Sequence, residues 1–215
     1  MTSTLLGFFV GLWIAIGDAT AGSYDWKEIY TSKGVTVSKA EVEGSKFVAF
    51  KGRVVYDASP GRVLGVILDN DHRLDWVGRL DENRVLEQRT PFDYVVYQAF
   101  GLPPLFSDRD YVYHGMATQN ADGEIFLAMQ SVEHPAAPET VGVRAQLVDS
   151  RYRLVELAPG RTQVDVEIVT DPRGSMPAWI VNLIQRTWPR DTLVGIREQL
   201  EKDWVVEHPL PPVVP

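Results

Sequence analysis

Alternation of apolar and polar residues with a period of two runs through most of this chain and constrains its fold more than any other feature. In the segment TQVDVEIVT, Val164, Val166 and Ile168 point to one side of an extended chain, and Asp165 and Glu167 point to the other. Strands of this kind bury one face and leave the other in water, as antiparallel sheets do. We therefore predict a large antiparallel sheet with its valine-rich face inside.

The same periodicity predicts the order of the elements. Two strands, GVTVSKAEV and KFVAFKGRVVY, are joined by a turn at residues 43–45. A short helical stretch follows, because Ser59 can cap a helix, Pro60 suits its first turn, and apolar residues then share one face up to Leu68. Further strands are predicted at residues 81–89, 92–100, 108–117, 124–132, 141–149, 151–157 and 162–170.

The last predicted element is one long helix from about Pro177 to Trp204. Pro189 lies inside it and should kink or break it. Its apolar residues recur at intervals of three and four and form a single stripe: Trp179, Ile180, Leu183, Ile184, Leu193, Ile196 and Leu200. The proline-rich tail, 205–215, should be extended and unpacked. This order of elements predicts an α+β protein with its helices gathered on one side of the sheet.

Composition limits the class of protein. A chain of 215 residues with 45% hydrophobic content forms one domain with a sizeable core. The absence of cysteine excludes disulfides, thiolate nucleophiles and cysteine-based metal sites. There are 21 basic and 29 acidic residues, a net charge of -8, and no run of basic residues. We therefore predict no nucleic-acid partner, and membrane contact only through a local patch.

The first 21 residues are typical of a signal peptide. An apolar run from Leu5 to Ile16 precedes the small-x-small sequence Ala19-Thr20-Ala21. A helix of that length spans roughly 18 Å, less than the roughly 30 Å of a bilayer core. We predict cleavage after Ala21 and export to the periplasm or the medium. No Lys or Arg precedes the run, so an uncleaved anchor or a misplaced start codon are the alternatives.

Three stretches resemble motifs of one known family. SDRDYVY (107–113) resembles its Arg-Asp-aromatic-Val strand, and SVEHPAAPETVGVRA (131–145) resembles its His-Pro to Val-Arg-Ala segment. TDPRGSMPAWIVN (170–182) resembles the segment that leads into its last helix. DNDHRLDW is also similar to a family segment ending in tryptophan, although the Asp that commonly follows is here Val77. Over residues 22–204 the chain is thus similar to a START domain, the lipid-transfer member of the helix-grip superfamily.

This resemblance implies a helix-grip fold, in which a curved antiparallel sheet of about nine strands wraps around the long C-terminal helix. It implies a hydrophobic tunnel between sheet and helix that holds one lipid, with no catalytic residues, no cofactor and no metal. In such a fold, Asp171-Pro172 ends the last strand because proline cannot donate to the ladder. Gly174 supplies the turn and Pro177 begins the helix that covers the tunnel.

Strand parity, the alternation of side chains between the two faces of a strand, selects the side chains that would line the tunnel and bind lipid. Among them, Gln98, Arg109, Tyr111, Tyr113 and Arg144 are the candidate partners for a polar head group. The full predicted set is Tyr94, Val96, Gln98, Phe100, Arg109, Tyr111, Tyr113, Leu127, Met129, Arg144, Val164, Val166, Ile168, Ile180, Leu183 and Ile184.

Both arginines also have a structural interpretation. Arg109 could pair with Asp108 or Asp110 beside it, and Arg144 could brace a turn. Sterol-carrying members of the family commonly place an acid and an arginine inside the tunnel. Those two positions fall at Val96 and Gly115, which are uncharged, so a close copy of the sterol site is not predicted.

The function predicted from the sequence is that of a monomeric, non-catalytic protein that carries one sterol, phospholipid or fatty-acid-like lipid for transfer or sensing. Two alternatives stay open. One is an enzyme like the polyketide cyclases and aromatases of the same superfamily, although the four histidines form no convergent acid–base set. The other is an interaction module with a vestigial pocket. The loop FGLPPLF (100–106) would then dock a partner or a membrane, or it could serve as the flexible gate of the tunnel.

Overall fold

The computed structural model describes residues 24–214, which form one large sheet, a two-stranded sheet and four helices. The strands are β1 (Lys27–Ser32), β2 (Val35–Glu41), β3 (Val48–Tyr56), β4 (Leu80–Thr90), β5 (Asp93–Phe100), β6 (Arg109–Gln119), β7 (Ile125–Ser131), β8 (Val143–Arg144), β9 (Gln146–Leu147), β10 (Ser150–Ala158), β11 (Arg161–Ile168) and β12 (Thr170–Asp171). The helices are α1 (Pro60–Leu68), α2 (Arg73–Trp76), α3 (Ala178–Gln185) and α4 (Trp188–Leu200).

The large sheet is antiparallel along its main path. Its strand order is β1-β2-β3-β11-β10-β7-β6-β5-β4, with β8 added in parallel to the start of β6. The prediction of an α+β fold with about nine antiparallel strands is therefore confirmed. Strand β1 was not predicted, because its side chains are mostly exposed or half-buried and show no alternation.

Helix α4 packs across the inner face of the sheet near β2, β3 and β11. Gly52 permits the close approach, because a Cβ there would come within 2.8 Å of Leu193 Cδ1 and 2.9 Å of Pro189 Cβ. The hydroxyl of Tyr56 donates to the Leu193 carbonyl at 2.6 Å, which fixes the helix along its axis. Helix α1 packs against α4 and against β10 and β11, with Ser59 capping it as predicted by accepting from Arg62 N at 3.2 Å.

The long C-terminal helix of the prediction is in fact two helices. The helix breaks at residues 186–187, so that Pro189 lies in the first turn of α4, where a missing N–H costs no hydrogen bond. The predicted break is confirmed, but α4 ends at Leu200 rather than at Trp204.

The strand predicted at residues 141–149 was also wrong as a single element. Its first half follows β6, with Val143 N and Ala145 N donating to the carbonyls of Asp108 and Asp110. Its second half, β9, pairs with β12 instead. The chain changes partner at Ala145, and the alternating residues on either side give no sign of that change.

The prediction of an unpacked tail is wrong as well. The tail is extended but bonded to the domain: His208 N donates to Gly61 O, Gln119 N donates to Pro212 O, and Val214 N donates to Gln119 O. Pro211 is buried. The predicted signal peptide, residues 1–21, lies outside the described residues. None of the helices within 24–214 is long and apolar enough to cross a membrane.

Candidate functional site

A cavity of about 160 Å³ lies between the inner face of the sheet and helix α3. Its wall is mainly apolar and aromatic, with a few polar side chains. The lining residues are Arg73, Val77, Gly78, Arg79, Tyr94, Gln98, Phe100, Leu102, Arg109, Tyr111, Tyr113, Leu127, Met129, Leu147, Ser150, Tyr152, Ile168, Thr170, Pro172, Met176, Val181, Ile184, Gln185 and Trp188.

Strand parity places most of the sequence-predicted lining on this wall. The structure brings together Tyr94, Gln98, Phe100, Arg109, Tyr111, Tyr113, Leu127, Met129, Ile168 and Ile184. Their positions on four strands and one helix match the predicted inner face. Whether they bind a lipid stays a prediction.

Six predicted residues are not part of the cavity wall. Val96, Val164 and Val166 face inward but are fully buried in the hydrophobic core that also holds residues of α1 and α4. Helices cover that part of the inner face, so parity alone could not separate core from cavity. On α3, Ile180 is half-buried away from the cavity and Leu183 is exposed.

Arg144, the sixth, projects on the opposite side of the sheet. Its Nε donates to Asp110, its Nη2 donates to Pro138 O at 2.8 Å, and Asp110 is fully buried. Asp110 also accepts from Val141 N at 2.9 Å. Arg144 therefore braces the 132–144 connection, with Asp110 as its partner.

Arg109 lines the cavity but its guanidinium is already bonded. Nε donates to Pro172 O at 2.8 Å, Nη2 to Arg173 O at 3.2 Å, and Nη1 to Ser107 O. The Pro172 and Arg173 carbonyls belong to the turn that leads into α3, and the Ser107 carbonyl lies just before β6. Neither Asp108 nor Asp110 is a partner of Arg109. Arg109 thus positions the segment that covers the cavity.

Tyrosines form much of the inner part of the wall. Burial raises the pKa of Tyr111 to about 12, and burial also raises the pKa values of Tyr94, Tyr113 and Tyr152. These hydroxyls are therefore neutral donors at physiological pH. Among residues 24–214, no side chain or carbonyl is hydrogen-bonded to the hydroxyls of Tyr94, Tyr113 or Tyr152.

Arg73 is one of the lining residues that strand parity could not predict, because it lies on α2 and not on a strand. It is 6% exposed, with Nη2 donating to Ile67 O and its Cζ 5.2 Å from the centroid of the Trp76 ring. Its buried Nε has no hydrogen-bond partner. The sequence signal was an arginine three residues before a tryptophan in a helical turn, a spacing that places both side chains on one face.

Helix α3, called the lid below, covers the cavity with few contacts. Val181 is its one fully buried residue in the structure, and its first turn has no side-chain cap. Asn182 Oδ1 accepts from Val48 N at 3.3 Å, and Gln185 Nε2 donates to Thr170. The buried Oε1 of Gln185 has no partner. The lid is therefore weakly held and leaves one polar acceptor free at the cavity.

The outer rim of the cavity is unusually apolar for a surface. Leu105, in the loop after β5, is 99% exposed, while Trp179 and Leu183 on the lid are 68% and 59% exposed. Leu102 from the same loop and Met176 before the lid both line the cavity. The exposed apolar residues thus lie on the two segments that border it.

The histidines lie away from this cavity. His114 pairs with Asp93 at 2.7 Å, His134 with Glu87 at 3.3 Å, and His72 stacks on Trp204 with centroids 4.0 Å apart. Within residues 24–214 no group of three or more His, Cys, Asp or Glu side chains could hold a metal ion.

A curved sheet, a C-terminal helix pair and an apolar cavity between them define a helix-grip protein. The family model of the START domain matches residues 15–189, most of the chain. The protein therefore belongs to the START domain family.

Relatives and solved structures agree with this assignment. An uncharacterized protein of Pseudomonas aeruginosa is 28% identical over 179 residues, which cover 83% of this chain and 88% of that protein. Human Rho GTPase-activating protein 7 is 30% identical over 158 residues, 72% of this chain but 10% of that protein.

Two solved structures share the fold. A STAR-related lipid transfer protein of Xanthomonas axonopodis superposes with a TM-score of 0.75 at 25% identity, over 82% of this chain and 99% of that one. Human STARD10 superposes with a TM-score of 0.73 at 22% identity, over 87% of this chain and 83% of that one.

Proposed function

We propose that this protein is a non-catalytic carrier that holds one lipid in the cavity between the sheet and the lid. The observation that supports it is an apolar, tyrosine-rich cavity covered by a weakly held helix. Burial of a lipid chain there would contribute about 0.8 kcal/mol per CH₂ group. The Xanthomonas protein of similar fold is named as a lipid transfer protein, which agrees with this function.

The size of the cavity requires the lid to move. A cavity of about 160 Å³ is close to one that holds a benzene molecule, whereas pockets for drug-sized ligands measure roughly 300–1,000 Å³. A lipid chain of about sixteen carbons therefore fits only if the lid shifts outward. In this movement the break at residues 186–187 is the hinge of the lid. The loop at 101–107 forms the opposite edge of the opening.

The exposed apolar rim favours release at a membrane surface. Leu105, Trp179 and Leu183 can enter the headgroup region while the lid opens, so that the lipid passes directly between bilayer and cavity. We propose that the protein acts as a monomer and contacts the membrane only transiently. We also propose that it has no nucleic-acid partner. The placement of the four histidines away from the cavity wall favours a carrier over a cyclase-like enzyme.

The first test is native mass spectrometry of the protein purified from its own host, followed by identification of any bound molecule. We expect one lipid per chain. The carrier function would be contradicted if the purified protein held no bound molecule and also failed to bind sterols, phospholipids and fatty acids in solution.

A matched pair of variants tests the position of the site. Ile184→Trp adds bulk on the cavity wall, and Leu183→Trp adds the same bulk on the exposed side of the same helix. We expect Ile184→Trp to lower lipid occupancy several-fold and Leu183→Trp to leave it unchanged, with both variants folded by circular dichroism. Equal occupancy in the two variants would place the lipid elsewhere.

We also propose that the chain is exported and cleaved after Ala21. N-terminal sequencing of the protein from a periplasmic or culture-medium fraction should then begin at Gly22. Recovery of the full-length chain from the cytoplasm would contradict export.

A further inference from the structure

Arg73 is a buried cation without an acidic partner. Its side chain is 94% removed from solvent, and no carboxylate within residues 24–214 lies in salt-bridge distance of it. The position that follows Trp76 is Val77, which is also buried and cannot balance the charge. An arginine keeps its proton at any physiological pH, so the charge is present whether or not a partner is.

The guanidinium borders the cavity rather than the solid core. Arg73 lines it together with Tyr94, Tyr113 and Tyr152, and its charge is near enough to the three hydroxyls to oppose the rise in their pKa values. The Nε–H of Arg73 has no hydrogen-bond partner, and the three tyrosines lie with Arg73 on the cavity wall. The cavity therefore has one wall that offers several donors, one positive charge and no acid.

From this arrangement we infer that the lipid is a single-chain carboxylic acid, held with its carboxylate at Arg73 and the tyrosine hydroxyls and its chain toward the lid. This inference rests on the proposed carrier function and names the class of ligand for the same cavity. A planar carboxylate accepts two parallel hydrogen bonds from a guanidinium and further bonds from hydroxyl donors. It also supplies the one negative charge that Arg73 lacks.

The alternatives fit this wall less well. A neutral alcohol or sterol hydroxyl would leave the guanidinium uncompensated in a site of low dielectric. A phospholipid would bring one phosphate charge but also a glycerol unit and a second chain, so it would need a larger outward shift of the lid than a single chain needs. A single-chain acid satisfies the charge with the smallest volume.

The test compares palmitate, methyl palmitate, 1-hexadecanol and dipalmitoyl phosphatidate as competitors of a fluorescent lipid on the full-length mature protein. We expect palmitate to bind about tenfold or more tightly than the ester and the alcohol, since charge-assisted hydrogen bonds confer a preference of this order. In Arg73→Met the ratio of the affinity for palmitate to that for the ester or the alcohol should fall to about one. Arg73→Lys, which keeps the charge but not the planar fork, should retain part of the preference.

Two controls keep the result specific. Arg161→Met removes an exposed cation away from the cavity and should leave the preference intact. Tyr152→Phe removes one hydroxyl donor and should weaken palmitate more than hexadecanol. Thermal unfolding of each variant checks that the domain is folded, and Arg73→Met should be at least as stable as the parent because it removes an unpaired buried charge.

The outcomes separate this inference from the carrier function. If the parent protein binds palmitate and hexadecanol equally, or prefers phosphatidate, the carboxylic-acid assignment is overturned while the carrier function stands. If Arg73→Met keeps the preference for palmitate, Arg73 is not the site of the carboxylate. If the parent protein binds none of the four lipids, the carrier function itself fails.

Discussion

The ring of Tyr94 lies directly against Gly115 on the neighbouring strand. The two residues are register partners, and a Cβ on residue 115 would come within 2.5 Å of Tyr94 Cζ. No side chain can therefore project into the cavity from this position while Tyr94 keeps its rotamer. Position 115 is where the family resemblance would place the arginine of sterol-carrying members. In this protein two buried arginines reach the cavity from other positions, Arg109 from β6 and Arg73 from α2.

This packing predicts that Gly115→Ala destabilises the domain. The added methyl group must displace an aromatic ring that is 2% exposed, and overpacking of this kind costs about 1–3 kcal/mol. Gly78→Ala is the control, because a Cβ there meets nothing within 4 Å. Urea unfolding of both variants measures the difference. Tyr94→Leu should rescue Gly115→Ala in the double variant, and no rescue would mean that the ring is not the obstacle.

A second prediction concerns Arg144, which the sequence suggested as a lipid ligand and the structure places on the outer face with Asp110. Arg144→Ala leaves a fully buried carboxylate without its cation and should lower the free energy of unfolding by about 3 kcal/mol. Lipid binding by the folded fraction should be unchanged.

Arg161→Ala provides a surface comparison for this measurement. Arg161 lies 4.0 Å from an exposed Asp57, and such pairs contribute about 0–1 kcal/mol. Equal effects of the two substitutions in urea unfolding would mean that the Asp110 brace does not stabilise the domain.

A third prediction is a loss of stability at alkaline pH. Burial raises the pKa of Tyr111 to about 12 in the folded protein, against about 10 in the unfolded chain. Between these values the unfolded chain has lost its proton and the native protein has not, so the free energy of unfolding falls as pH rises. The contribution of the protonated Tyr111 hydroxyl to the free energy of unfolding is complete below about pH 10 and is lost as the pH rises through about 12.

Tyr111→Phe tests this directly. Urea unfolding between pH 9 and 12 should show a shallower decline in the variant, and absorbance of the native parent should show tyrosines that ionise above the usual range. A parent protein whose stability is constant to pH 12 would contradict the burial of these hydroxyls.

Much of the fold followed from the sequence because two periodicities are strong. Val164, Val166 and Ile168 alternate strictly with acids, and the residues around Ile184 repeat at helical spacing, so sheet and helix were both predictable. What the periodicity could not predict is which inward-facing residues of β11 line the cavity. Ile168 lines the cavity, whereas Val164 and Val166 lie in the core, and that difference depends on where α1 and α4 cover the sheet.

The candidate site was less predictable for a related reason. Arg73 enters the cavity from a helix of four residues, and no strand parity applies to it. Arg109 and Arg144 look alike in the sequence, yet three backbone carbonyls bind the first and a buried aspartate binds the second. Such partners come from residues distant in the chain, so local patterns could not distinguish a ligand-binding arginine from a structural one.

The C-terminal tail gives the last prediction, because its proline content suggested a free segment and the structure shows a bonded one. Glu207 accepts from Ser59 Oγ at 2.6 and 2.8 Å, next to the cap of α1. Further along, Val214 N donates to the Gln119 carbonyl at 2.8 Å. Gly65 lies so close to the tail that a Cβ there would be 2.5 Å from the Val206 carbonyl oxygen.

Truncation after Val206 should therefore lower the free energy of unfolding by about 1–2 kcal/mol. Several hydrogen bonds of about 1 kcal/mol each are lost, and the entropy regained by the freed tail offsets part of that loss. Glu207→Ala in the full chain should cost less, since it removes only the bond to Ser59. Differential scanning calorimetry of the three proteins gives the comparison. If the truncated chain unfolds at the temperature of the parent, the tail contributes nothing, and the unpacked segment expected from its composition is the better description.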